Sequence, residues 1–239
     1  MLRYLAAALL VALAMSTPAK AVIVNAADVG ASGTTSLQGY ADIGVGGDTV
    51  SVTGLTASLF LEYTGLTNGG LTWNFDYSIT NTSSGGTLAK LTSFGFATTP
   101  NVASGTSTGL FDTVTINPSF PNVMQAGQNI DICFAPDSGC QGGVGLLNGQ
   151  TADGMFTLTF ASALGAISLD QAFVRFQELT ATSPIYNVSG ASGVGISNNV
   201  TITPQVVPGP MLGAGLPGLL AAGLGLVALA RRRRRLATS

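Results

Sequence analysis

The side chains that could do chemistry are few, and one kind is missing altogether. The 239-residue chain has no histidine. Serine–histidine–aspartate and cysteine–histidine catalysis are therefore excluded in their usual forms, and so are histidine-based metal sites. Carboxylates remain: Glu62 and Glu178 are the two glutamates, with nine aspartates besides. Glycoside hydrolysis needs two acids held about 5–10 Å apart. No spacing along the chain pairs any two of them, so solvated acids on an acidic surface are expected rather than a catalytic pair. Two cysteines, Cys133 and Cys140, bracket "CFAPDSGC". Two thiols with no histidine make a poor zinc site, and the spacing is not that of a Cys-x-x-Cys redox motif. A small structural disulfide is expected, contributing roughly 2–2.5 kcal/mol through loop entropy.

Other motifs carry less. "GLTNGG" and "GVGG" are glycine-rich, but neither opens a helix after a strand with a following Lys-Ser/Thr, so no phosphate loop is read. "DIGVGGD" loosely resembles a calcium loop but lacks oxygen ligands at alternate positions. No cofactor and no metal are expected. Asn81, Asn187 and Asn199 head Asn-x-Ser/Thr triplets, which chance supplies in a chain this rich in those residues. Trp73, Phe75 and Tyr77 could stack on sugar rings. They share a face with Leu71 and Ile79, however, which favours a core role.

These residues must be positioned by strands. "LTWNFDYSIT" alternates strictly, with Leu71, Trp73, Phe75, Tyr77 and Ile79 on one face, the mark of a half-buried antiparallel strand. "SLFLEYTGL" precedes it across the turn signal "TNGG". "TLAKLTSFGFATT" follows "NTSSGG", and the three are expected to form a meander. "FDTVTI", "MFTLTF", "FVRFQEL" and "VTITP" read as further short strands, and helical periodicity surfaces weakly at "ASALGAISLDQAF". Many short strands between Gly- and Ser-rich turns predict an all-β, antiparallel β-sandwich, with a barrel or jelly roll as the alternative.

Charge and hydropathy divide the chain. Charged residues make up only 8%, against about 25% in an ordinary soluble domain. Most of the basic ones lie at the two ends. Residues 22–205 hold two cations, Lys90 and Arg175, against eleven acids, a net charge of −9. Nucleic acid is thus not an expected partner, since phosphate binding needs clustered cations. An acidic surface better suits a calcium-rich or cationic environment. The first 21 residues read as a signal peptide. Arg3 supplies the positive start, Leu5 to Met15 an apolar run, and Ala19-Lys20-Ala21 a small-x-small cleavage site. Residues 22–205 are then one exported domain, and 206–239 a separate tail.

In that tail Met211 to Ala230 is uncharged, about 30 Å long as a helix and so the thickness of a bilayer core. Arg231, Arg232, Arg233, Arg234 and Arg235 follow as a cytoplasmic stop. A Gram-positive wall signal would need Leu-Pro-x-Thr-Gly ahead of the apolar run, and a lipid-anchor signal would end without basic residues. Neither fits. The stretch "VPGPMLGAGLPGLLAAGLGLVALARRRRR" resembles the PEP-CTERM sorting domain of Gram-negative bacteria over residues 206–235. Val207-Pro208-Gly209-Pro210 stands for the turn motif, followed by a Gly-rich helix and the arginine cluster. Gly209 replaces the family's usual glutamate and resembles a "VPGP" variant. The body, with "GFATTPNV", its Cys loop and "FVRFQEL", is similar to β-rich bodies of the so-called cistern type. The resemblance implies processing by an exosortase, a membrane-embedded cysteine peptidase, near Pro208–Pro210. It also implies transient or permanent anchoring in the inner membrane, and association with exopolysaccharide and biofilm at the cell surface. It brings no catalytic site, and no enzyme activity is expected.

Overall fold

A computed structural model describes residues 21–42, 49–118, 130–183, 186–197 and 200–203. The chain separates into two units, Met1–Gln205 and Val206–Ser239, and the second lies outside the described residues. Eleven strands are seen: β1 (Val22–Asn25), β2 (Ser32–Asp42), β3 (Thr49–Thr67), β4 (Thr72–Asn81), β5 (Leu88–Thr99), β6 (Ser104–Ser107), β7 (Thr113–Ile116), β8 (Ile132–Ala135), β9 (Thr151–Thr159), β10 (Ala166–Ser183) and β11 (Tyr186–Ser197). All pairings are antiparallel, so the all-β antiparallel class read from the sequence is the class observed.

The strands form one continuous sheet in the order β6-β9-β4-β3-β2-β11-β10-β5-β8-β7, with β1 added to β10. The sheet closes almost into a barrel, because its two wings face each other. Phe156 on β9 lies 4.8 Å from Phe134 on β8 and 5.5 Å from Phe96 on β5. Tyr77 on β4 lies 4.9 Å from Phe94 on β5. Strands far apart in the path thus share one aromatic core, which ring pairs at 4.5–7 Å stabilise beyond simple area burial. The wings pack face to face as in a sandwich, but the strand path joins them without a break.

The strand β4 follows its sequence pattern. Trp73, Phe75, Tyr77 and Ile79 point inward and are buried, while their neighbours are only half-buried. At its start, Asn68, Gly69 and Gly70 all adopt positive φ in the turn from β3, a conformation that Asn and Gly tolerate best. The expected meander ends after β4. Instead of pairing with β4, β5 crosses to the opposite wing and lies between β10 and β8. Its burial explains why: from Leu91 to Phe96 every residue is buried, so the strand is covered on both faces. An outermost meander strand would be half exposed. Asn81 fixes the departure, donating from Nδ2 to Ala89 O at 2.8 Å and to Leu146 O at 2.9 Å.

Two smaller expectations also change. "ASALGAISLDQAF" is not helical: residues 161–165 are turn and irregular, and the rest begins β10. Tertiary pairing with β5 and β1 overrides a weak local periodicity there. "VTITP" forms only a bridge, Ser32 to Thr203. Gly33 makes that close passage possible, because a Cβ there would run into the Thr201 carbonyl.

Candidate functional site

A second, smaller apolar cluster lies on the outer face of the β11–β10–β5–β8 wing and shares no residue with the barrel core. It comprises Ile130, Cys133, Ala135, Cys140, Phe173 and Val194, with Ile196 against it. Register places Phe173, Gly95, Cys133 and Thr115 in one row across β10, β5, β8 and β7. Glycine is required in that row. A Cβ on Gly95 would collide with the Phe173 ring and with Ile132 O.

Cys133 and Cys140 are joined by a disulfide, with Cα atoms 6.3 Å apart. The bridge closes a loop whose turn uses Gly139 at φ 83°. This loop roofs the next row, where Ser93 stands opposite Arg175. The Cys140 carbonyl accepts from Arg175 Nη1 at 3.3 Å and from Ser93 Oγ at 3.4 Å. One carbonyl therefore ties the loop to two strands. Gln177 Nε2 adds a shorter bond to Gln141 O at 2.7 Å.

Both cations of the body lie on this wing. Arg175 is only 7% exposed, and burial lowers its pKa from the ordinary arginine value. Among the described residues, no carboxylate lies within ion-pair distance of it. Lys90 instead pairs with Glu178 at 2.5 Å. Glu178 has φ 52° within an irregular stretch of β10 where the register shifts, and such bulges re-aim side chains. In the roofing loop, Asp137 Oδ1 is buried without a hydrogen-bond partner.

The acids missed by sequence spacing meet on the opposite wing. Glu62 on β3 stands directly across from Asp76 on β4, and Asp76 from Met155 on β9. Pairing across strands is invisible to linear spacing, which is why no pair was read. Hydroxyl pairs surround them: Thr72 with Thr159, Thr80 with Thr151, and Thr106 with Thr157, at 2.8–3.0 Å. Among the described residues, no group of three or more metal-ligating side chains is gathered.

The aromatic row is not a surface platform. Trp73 and Phe75 are fully buried and Tyr77 nearly so. Trp73 packs 5.1 Å from Tyr63. Tyr77 donates its hydroxyl to Thr108 O at 2.9 Å, and Tyr63 to Ala26 O at 3.3 Å. Burial raises the pKa of both hydroxyls, with nearby aspartates adding to it. Asn81, the first of the Asn-x-Ser/Thr triplets, is buried with its amide engaged, whereas Asn187 is exposed.

Ala21 is exposed immediately before β1. Ala19, the "DIGVGGD" residues 43–48, Asn199, the Val207–Pro210 motif, the apolar run 211–230 and Arg231–Arg235 lie outside the described residues. Among the described residues no helix is long and apolar enough to cross a membrane. No model of a known protein family matches the chain, and no curated protein matches it.

Proposed function

We propose that this chain is a non-enzymatic, exported surface or extracellular-matrix protein. A PEP-CTERM-type tail directs it to an exosortase-type enzyme, and it associates with exopolysaccharide or biofilm outside the cell. The observation that carries the reading is the order of parts in the sequence. A leader ending at Ala21 and a Pro-Gly-Pro, apolar, penta-arginine tail flank an acidic, histidine-free body. The all-β, antiparallel body is compatible with it. On this reading the apolar run 211–230 holds the chain in the inner membrane until processing near Pro208–Pro210.

A carbohydrate-binding module built on the 71–79 strand is not carried forward, because the rings it needs are interior. A hydrolase would have to use opposed acids such as Glu62 and Asp76, which lie on an outer sheet face. Intact-mass measurement of the exported protein, in cells with and without the processing enzyme, tests the proposal. Loss of Arg231–Arg235 is expected only where the enzyme is present. A mature chain that keeps its arginines in wild-type cells would overturn the sorting role.

A further inference from the structure

We propose that the Cys133–Cys140 disulfide is a latch: its reduction lifts the loop from the outer face and uncovers Arg175 and Phe173 while the barrel stays folded. The closed loop hides two groups that water would solvate. Arg175 is buried beneath it, with no carboxylate in reach among the described residues. Asp137, within it, has a buried oxygen with no partner. Each group would gain solvation if the loop opened, because a desolvated and incompletely paired charge is costly.

Side-chain hydrogen bonds and a small apolar cluster hold the loop itself, and just beyond it the chain is pinned again by the paired backbone bonds of Leu91 and Leu146, at 2.8 and 2.9 Å. The carbonyl of Cys140 is held by two long hydrogen bonds, at 3.3 and 3.4 Å, and Gln141 O by one shorter bond. The apolar cluster under the loop is small and separate from the barrel core. A unit with its own few contacts can open without global unfolding. On this proposal the cross-link is the covalent tie that keeps the roof shut. Its release is balanced by two equivalents of a small thiol: the Cys133–Cys140 bond breaks, each sulfur takes one proton, and the thiols leave as their disulfide. Opening turns a closed patch on an acidic body into a surface presenting an arginine and an aromatic ring.

Phenylglyoxal, which modifies exposed arginines, reads the state directly when adducts at Arg175 are mapped by mass spectrometry. Modification of the full-length protein is expected to rise by at least about tenfold on treatment with a dithiol, since labelling follows the population of the open form. The Cys133→Ser/Cys140→Ser double variant should label equally fast without reductant. Trp73 emission, measured alongside, should remain that of a buried indole. An Arg175 rate unchanged by reduction would overturn the latch. So would a rise that occurs only together with loss of the buried Trp73 emission, because the disulfide would then support the whole fold.

Discussion

Glu62 and Asp76 face each other across β3 and β4, two acids in direct cross-strand register on the outer wall of the barrel. Like charges so placed repel, and the opposing pair is destabilising by about 0.2–1 kcal/mol. Glu62→Gln or Asp76→Asn should therefore raise the urea midpoint of the protein at neutral pH. The gain should shrink as salt screens the repulsion. A fall in stability in either variant would show that the carboxylates hold something together rather than push apart.

The aromatic row gives a second outcome. Phe75 is fully buried and stacks on Phe156 with ring centroids 5.1 Å apart. Phe75→Ala should cost about 3–5 kcal/mol, the usual penalty for emptying an aromatic core site. Trp73 emission should be blue-shifted, resist acrylamide quenching and stay unchanged when exopolysaccharide is added. An emission shift on adding the polymer would restore the platform reading.

Legibility from sequence followed the burial of each strand. Only one wall of β4 is buried, so its period of two named the inward residues Trp73, Phe75, Tyr77 and Ile79 correctly, whereas Leu71, expected on the same face, precedes the strand and is half-buried. The partner of β5 could not be read in the same way. Its burial on both faces erases the alternation, and the roof responsible comes from residues some forty positions later. Strands β1, β2, β6, β8 and β11 were not read either, several being short or rich in Gly and Ser. The cysteine loop was legible because both partners lie within one turn. Arg175 as the group beneath that loop was not, because the contact joins residues 35 positions apart. An arginine set between two phenylalanines in "FVRFQEL" was the one available signal.

Two buried tyrosines predict how the barrel responds to alkali. The hydroxyls of Tyr63 and Tyr77 have pKa values raised chiefly by burial. Unfolded tyrosine ionises near pH 10, so above that pH the unfolded chain loses protons that the folded chain keeps. Linkage then favours unfolding: the stabilising effect is complete below about pH 10 and is lost as pH climbs toward the raised folded values. Denaturation midpoints measured from pH 8 to 12 should fall above 10. The Tyr63→Phe/Tyr77→Phe variant should show a shallower fall than the wild type, and an equally steep one would assign the alkaline loss to other groups.

Asn81 supplies the sharpest contrast between sequence motif and structure. It matches a glycosylation acceptor pattern, yet its amide is spent inside. Nδ2 serves Ala89 O and Leu146 O, while Oδ1 accepts from the Ser83 backbone at 3.1 Å. These three bonds join the end of β4, the start of β5 and the segment at Leu146, where the chain crosses from one wing to the other. Asn81→Ala strands buried backbone groups, each costing about 1–3 kcal/mol when unpaired. Asn187→Ala, at an exposed site matching the same acceptor pattern, should stay within about 0.5 kcal/mol of wild type. Chemical denaturation of the two variants side by side checks the difference. Equal, small effects would mean that the crossover of β5 is held by the surrounding core and not by this side chain.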